Sequence, residues 1–215
     1  MKPQANNKKY KIKEIFYSIQ GEGFHSGTPA VFIRFSGCNL WSGREEDRSK
    51  AICKFCDTDF LGTGGSNGGL YTAPMLLDKI QELSSASGCR FVVLTGGEPL
   101  LQLDEKLIYI LKNAGYYLAL ETNGTLNAPP GLDWITVSPK AGAALSQKSG
   151  DELKLVYPQQ GLNPAEVENL NFKHLYLQPK DDKNLKTNIE KTLNYCLKNP
   201  KWKLSLQIHK ILNIK

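Results

Sequence analysis

No stretch of the 215-residue chain approaches the roughly 18 consecutive apolar residues that a membrane-spanning helix needs, so a helical membrane protein is not expected. The opening MKPQANNKKYKIKEIF is basic but leads into no apolar run with a small-residue cleavage site, so it does not read as a secretory signal. Residues 1–9 read instead as a flexible N-terminal tail ahead of one domain spanning 10–215. No internal repeat is present, and the one low-complexity stretch, Gly62–Gly69, reads as a surface loop. The 27 Lys and Arg outnumber the 21 Asp and Glu but are scattered along the chain. Without a basic stripe, neither a nucleic-acid nor a membrane partner is expected. The five cysteines are an odd number, and three crowd into residues 38–56. That distribution fits a metal site in a reducing cytoplasm better than a disulfide framework.

The remaining composition, 40% hydrophobic and 22% charged, is that of an ordinary soluble domain. Apolar runs rich in β-branched and aromatic residues predict strands at Ala30–Phe35, Phe91–Thr95, Tyr117–Glu121, Trp134–Ser138, Leu153–Val156, His174–Gln178 and Leu204–Ile208. Apolar residues at three- and four-residue spacing predict helices at Ala73–Ser85, Leu101–Asn113 and Lys186–Lys198, with Gly88 and Gly115 stopping the first two. The alternation implies an α/β fold with a parallel sheet covered by helices: an open doubly wound sheet, or a complete or partial barrel.

Polar residues stand at or just past the C-terminal end of nearly every predicted strand: Arg34, Thr95, Glu121 with Thr122, Ser138 with Lys140, Gln178, and Gln207 with His209. In such folds this edge carries the active site. Strands also end in polar residues simply on reaching solvent, so the set argues more strongly than any member.

Cys38, Cys53 and Cys56 are spaced C-x14-C-x2-C. Three thiolates are one short of a closed zinc site, which would need a fourth ligand such as His25, Asp57 or His209. Soft thiolates equally suit an iron–sulfur cluster, and three of them on a four-iron cube leave one iron open to a small molecule. Three separate core cysteines is the plainest alternative. Cys89 and Cys196 lie outside the group and read as structural.

The first cysteine follows the strand AVFIRF, the pair CKFC is followed by DTDF, and the next predicted strand runs into Gly96, Gly97, Glu98 and Pro99. In this order the segments resemble the radical S-adenosylmethionine (SAM) superfamily, which implies a partial parallel (β/α) barrel with its site at the C-terminal strand edge. It also implies a [4Fe-4S] cluster on Cys38, Cys53 and Cys56, and SAM as cofactor. The usual three residues between the first two cysteines are here fourteen, NLWSGREEDRSKAI, a polar insert able to loop out as a helical turn.

Together with EIFYSIQGEGFHSGTPAVFIRFSGCNLW, ETNGT, VSPK and LQP, these segments resemble the 7-carboxy-7-deazaguanine synthases from about Ile12 onward. The resemblance implies a lyase of queuosine or deazapurine biosynthesis. It would contract 6-carboxy-5,6,7,8-tetrahydropterin to 7-carboxy-7-deazaguanine with loss of ammonia, through a 5′-deoxyadenosyl radical acting at C6. It implies few acid–base residues, and it implies Mg²⁺, for which Thr58 is the candidate ligand. Ile19, Gln20, Gly21, Glu22, Arg34, Thr95, Glu121, His209 and Lys215 are implied on the substrate side. Phe55, Cys56, Asp57, Gly97, Glu98, Ser138, Pro139, Lys140 and Gln178 are implied on the SAM side. A homodimer and a flavodoxin-like electron donor follow from the same similarity.

Chemistry supports several of these roles. A carboxylate and an amide in QGEG match the edge of an aminopyrimidinone, and a glycine permits close backbone approach. Arg34 inside an apolar strand demands a carboxylate partner, from the protein or from the substrate, and the substrate is the preferred one. Glu98 also suits a helix N-terminus. Two competing functions are an activase that places a glycyl radical on another protein, and a zinc-bound interaction module. An activase would have to admit a protein loop, which QGEG and Arg34 do not suggest.

Overall fold

Residues 8–215 are described by the computed structural model, so most of the expected tail, residues 1–7, lies outside the described residues. Lys8 donates from Nζ to Asp104 (2.7 Å) and to the Gln102 carbonyl (2.6 Å). The chain then enters a strand that sequence reasoning missed, β1 (Tyr10–Ile19), antiparallel to β2 (Pro29–Phe35). Its apolar and polar residues are interleaved with lysines, which hid it, yet Ile12 and Ile15 are fully buried. A second missed strand, β3 (Gly69–Tyr71), pairs with the start of β1, so the expected loop ends at Gly68.

The remaining strands are β4 (Phe91–Gly96), β5 (Tyr117–Thr122), β6 (Trp134–Val137), β7 (Ser149–Tyr157), β8 (Asn171–Pro179) and β9 (Trp202–Leu204). The sheet order is β3-β1-β2-β4-β5-β6-β7-β8-β9, and every pairing from β2 to β9 is parallel. The expected strand Leu204–Ile208 is corrected: β9 ends at Leu204, and Ile208 opens a short helix, α5 (Ile208–Leu212).

Helices α1 (Ala73–Ser84), α2 (Glu105–Asn113), α3 (Pro164–Val167) and α4 (Leu185–Lys198) complete the fold. α2 starts later than expected because Asp104 caps it, accepting from the Leu107 amide at 3.1 Å, while Pro99–Leu101 forms a separate 3-10 turn. Gly88 and Gly115 do follow their helices in the left-handed region (φ 65° and 84°). Among the described residues no helix is long and apolar enough to cross a membrane.

Side-chain alternation decides which face becomes the site. On β2, Val31, Ile33 and Phe35 enter the core under α1 and α2, together with Val92, Leu94, Leu118 and Leu120. Burying each such side chain contributes about 1.5–3 kcal/mol. The opposite face gathers Phe16, Ala30, Phe32, Val93, Ala119 and Trp134. Two residues further along the same face come Arg34, Thr95, Glu121 and Thr136, with Arg34 beside Thr95 and Glu121 beside Thr136 in register. The sheet is thus apolar toward its N-terminal edge and polar toward its C-terminal edge on one continuous surface.

Candidate functional site

The long insert does not separate the cysteines. The amides of Ile52 and Cys53 both donate to the Leu40 carbonyl (3.0 and 3.3 Å), closing residues 40–53 into a loop whose ends meet. Its middle is a 3-10 turn, Glu45–Lys50. The Arg48 guanidinium lies 4.0 Å from the Trp41 ring and donates to the carbonyls of Lys54 (3.0 Å) and Cys56 (3.1 Å). Trp41, Ala51 and Phe60 form an apolar wall that Cys38 and Cys56 pack against. Arg48 therefore buttresses the CKFC turn. Each such charged hydrogen bond is worth about 1.5–3 kcal/mol, so Arg48→Ala should lose iron to a chelator faster than the native protein; an unchanged rate would mean that the insert does not hold the turn.

All five cysteines are unpaired. Cys38, Cys53 and Cys56 line one cavity of about 380 Å³, whereas Cys89 (Sγ to the Pro29 carbonyl, 3.3 Å) and Cys196 on α4 do not. The Cys53 thiol donates to Cys56, which outweighs the effect of burial and brings Cys56 down to about 6. Sharing that proton pushes Cys53 well above the ordinary thiol range, and burial raises Cys38. Among the described residues no three His, Cys, Asp or Glu side chains converge on a point as a single metal ion requires. His25, one candidate fourth zinc ligand, instead packs its ring against Trp134 at 4.5 Å. Three thiols around an open space fit a cube larger than one ion, with room beside it for a small ligand.

Of the residues expected at the site, Ile19 reaches the cavity from the end of β1, Gln20, Gly21 and Glu22 from the loop after it, and Arg34, Thr95 and Glu121 from β2, β4 and β5. Phe55, Asp57 and Thr58 flank Cys56, and the Thr58 amide donates to its sulfur. Gly97, Ser138, Lys140 and Gln178 line the cavity from the ends of β4, β6 and β8. His209 and Lys215 arrive from the C-terminal segment, whose Lys210 pairs with both Asp57 and Asp181. Lys215 binds Glu14 and Ser66 through Nζ, each at 2.9 Å.

Two expected cofactor residues stand outside the cavity. Glu98 is fully buried, and its carboxylate accepts from the Leu100 amide (3.0 Å), the Thr122 hydroxyl (2.8 Å) and the Asn123 amide (2.8 Å). It bolts the end of β4 to the end of β5 and caps the following turn, leaving its side chain no face for a ligand. Burial raises its pKa, opposed by those hydrogen bonds. Pro139 is buried, its carbonyl accepting from Gln159 at 3.4 Å. Two of the expected glycines also pack closely against protein. A Cβ on Gly21 would sit 2.4 Å from Nδ1 of His209, and one on Gly97 would sit 2.1 Å from the Gly37 carbonyl oxygen. On their Cβ sides, both glycines make room for protein, not ligand.

Arg34 meets the structural carboxylate among its two expected partners: Nε donates to Glu14 at 2.9 Å, directly across the β1–β2 pair. The polar floor also contains one group that sequence reasoning passed over, Lys154. Lys154 on β7 pairs with Glu22 (2.6 Å) and approaches Glu121 (3.5 Å); Gln178 and Gln207 donate to the other oxygen of Glu22 (3.1 and 3.0 Å). Gln20 and Thr95 donate to Glu121 (3.1 and 2.9 Å). The signal for Lys154 was present, since a charge inside the buried run LKLVY is as costly as Arg34 inside its own strand.

A model of the radical SAM superfamily matches residues 48–155. The match begins within the insert and leaves Cys38 outside. A 7-carboxy-7-deazaguanine synthase of Bradyrhizobium diazoefficiens is 53% identical over 96% of this chain and 99% of its own length. That of Burkholderia multivorans is 51% identical over 95% and 99%. The chain belongs to the 7-carboxy-7-deazaguanine synthase family. A crystal structure of QueE from Escherichia coli superposes with a TM-score of 0.72 at 28% identity, covering 93% of this chain and 94% of that one. Membership in this radical SAM family implies a [4Fe-4S] cluster and SAM as cofactors.

Proposed function

We propose that this cavity performs the family reaction, contracting 6-carboxy-5,6,7,8-tetrahydropterin to 7-carboxy-7-deazaguanine with loss of ammonia, in a cytoplasmic route to queuosine or another deazapurine. The observation that carries the reading is the arrangement of one 380 Å³ cavity, thiols on one wall and a carboxylate–amide floor on the other. That size suits small molecules. When bound, the cluster and SAM supply a 5′-deoxyadenosyl radical. The chain's own residues bind, orient and exclude water.

Cys38, Cys53 and Cys56 hold the cluster in this reading, with the Gly97 backbone, Ser138 and Lys140 on the SAM side. Lys140 donates to the carbonyl and hydroxyl of Ser138 (2.6 and 2.7 Å), so the two act as one polar unit. Gln20, Glu22 and Glu121 offer acceptors and a donor to the aminopyrimidinone. Arg34 uses Nε for Glu14 and offers its terminal nitrogens to a substrate carboxylate. Thr58 beside Cys56 supplies Mg²⁺ with a hard oxygen, the pterin carboxylate and water supplying the rest. A flavodoxin-like donor and a homodimer complete the proposal.

Anaerobic incubation with SAM, reductant, Mg²⁺ and the carboxytetrahydropterin should yield the deazaguanine; 5′-deoxyadenosine without it would point to another substrate. Thr58→Ala should raise the Mg²⁺ concentration needed for half-maximal rate while leaving iron and sulfide content unchanged. Loss of the cluster in that variant would remove Thr58 from the magnesium role.

A further inference from the structure

Lys154 is buried among the carboxylates of the cavity floor, its side chain 8% exposed. Its Nζ lies 2.6 Å from Glu22 on the loop after β1 and 3.5 Å from Glu121 on β5, and Glu152 of its own strand adds a third buried carboxylate whose oxygen accepts from the Phe24 amide at 2.8 Å. The other charged or titratable groups facing this cluster are Lys140, beyond β6, Tyr176 of β8, in register with Lys154, and His209 on α5. Three carboxylates confined this closely repel one another, and the ammonium among them offsets that repulsion.

We propose that Lys154 is a positioning residue for the pterin: a buried counter-ion that holds Glu22 and Glu121 side by side as acceptors for the donor edge of the aminopyrimidinone. The proposal rests on the pterin reading above. An ionised carboxylate only accepts hydrogen bonds, whereas a protonated one presents a donor, which would oppose the amino and N–H groups of that edge. Burial alone would raise the pKa of Glu22, but the ammonium of Lys154 beside it brings it down to about 2. Burial likewise disfavours the charge on Lys154, and Glu121, Glu22 and Glu152 outweigh it, holding the amine above the ordinary lysine range. The glutamines fix the remaining lone pairs, so Lys154 governs charge while Gln20, Gln178 and Gln207 govern direction.

The test measures binding of 6-carboxypterin, the fluorescent oxidised analogue, by quenching, with turnover of the true substrate by native enzyme run alongside. Lys154→Met should bind the probe roughly 30-fold more weakly than native protein near neutral pH, the scale expected on breaking a buried charge pair. The ratio of variant to native Kd should be larger at about pH 6 than at about pH 7.5, because the unshielded Glu22 then takes up protons; taking the ratio cancels titrations common to both proteins and that of the probe. Lys154→Arg, which keeps the charge, should stay within about fivefold of native. Equal weakening at both pH values, or native affinity in Lys154→Met, overturns the proposal. Should Lys154→Met not fold, Lys154→Met with Glu152→Gln removes one cation and one carboxylate together, and the same pH-dependent ratio is expected of it. Native enzyme that produces deazaguanine while Lys154→Met binds normally overturns the role of Lys154 alone; native enzyme that makes none overturns the pterin reading with it.

Discussion

Cys53→Ala should fold, retain no [4Fe-4S] cluster on anaerobic reconstitution, and form no 5′-deoxyadenosine. Cys53 is 5% exposed at the closure of the insert loop, where its amide is held by the Leu40 carbonyl. Replacing its sulfur with hydrogen opens only a small void, so folding survives at a cost on the order of 1 kcal/mol. Cluster retention does not, since two thiolates remain where three are needed. The paired control is Cys89→Ala, whose sulfur lies outside the cavity near the Pro29 carbonyl and whose loss should leave iron content and SAM cleavage unchanged. A Cys53→Ala protein that still binds four irons and cleaves SAM would show that the ligands lie elsewhere.

Glu98→Ala should be the most destabilising single change at the strand edge. It would strand the Asn123 amide, the Thr122 hydroxyl and the Leu100 amide in a site the native side chain fills completely. Leaving buried donors unpaired costs about 1–3 kcal/mol each, so a total near 3–5 kcal/mol is expected after partial relaxation. For a chain of this length that lowers Tm by roughly 10 °C. The damage should also reach the cluster. Asn123 donates from Nδ2 to Asn39 at 3.0 Å, and Asn39 neighbours Cys38, so Glu98 supports the first cysteine through two side chains. Thermal unfolding and iron content, measured together, should both fall, with Glu98→Gln intermediate because it keeps a carbonyl acceptor. A stable Glu98→Ala protein with lowered SAM affinity would instead return Glu98 to the direct cofactor contact that its place after Gly97 suggests.

That reversal illustrates what could be read from the sequence. Parallel strands betray themselves because burial on both faces demands continuous apolar runs, and β2 and β4 to β8 lie where such runs are. Interruptions in those runs marked Arg34 and the strand ends as site residues. Strand β1 was hidden because one edge of it pairs only with the short β3, so its lysines can reach solvent and blur the pattern. With β1 unseen, Glu14 could not be seen opposite Arg34, and the substrate was preferred as partner. Strand β9 is only three residues long, and the apolar residues that suggested its extension belong partly to α5.

The finer contacts were hidden for a different reason. Spacing along the chain places a residue at an edge but does not say which way its side chain turns. Gly21 and Gly97 read as openings for ligands, whereas His209 and the Gly37 carbonyl oxygen occupy those positions. Lys154 was overlooked although it broke an apolar run just as Arg34 did, and it reaches two carboxylates of the polar floor. The fourteen-residue insert, whose geometry spacing alone could not supply, closes through hydrogen bonds to a single carbonyl, that of Leu40, and through the stacking of Arg48 on Trp41.

The most direct measurement follows deuterium from C6 of the carboxytetrahydropterin during anaerobic turnover with SAM. If the thiol wall and the carboxylate floor serve one reaction, deuterium should appear at the 5′ carbon of recovered SAM while 7-carboxy-7-deazaguanine accumulates. Deazaguanine formed with no deuterium in SAM or in 5′-deoxyadenosine would contradict radical chemistry at C6 in this cavity.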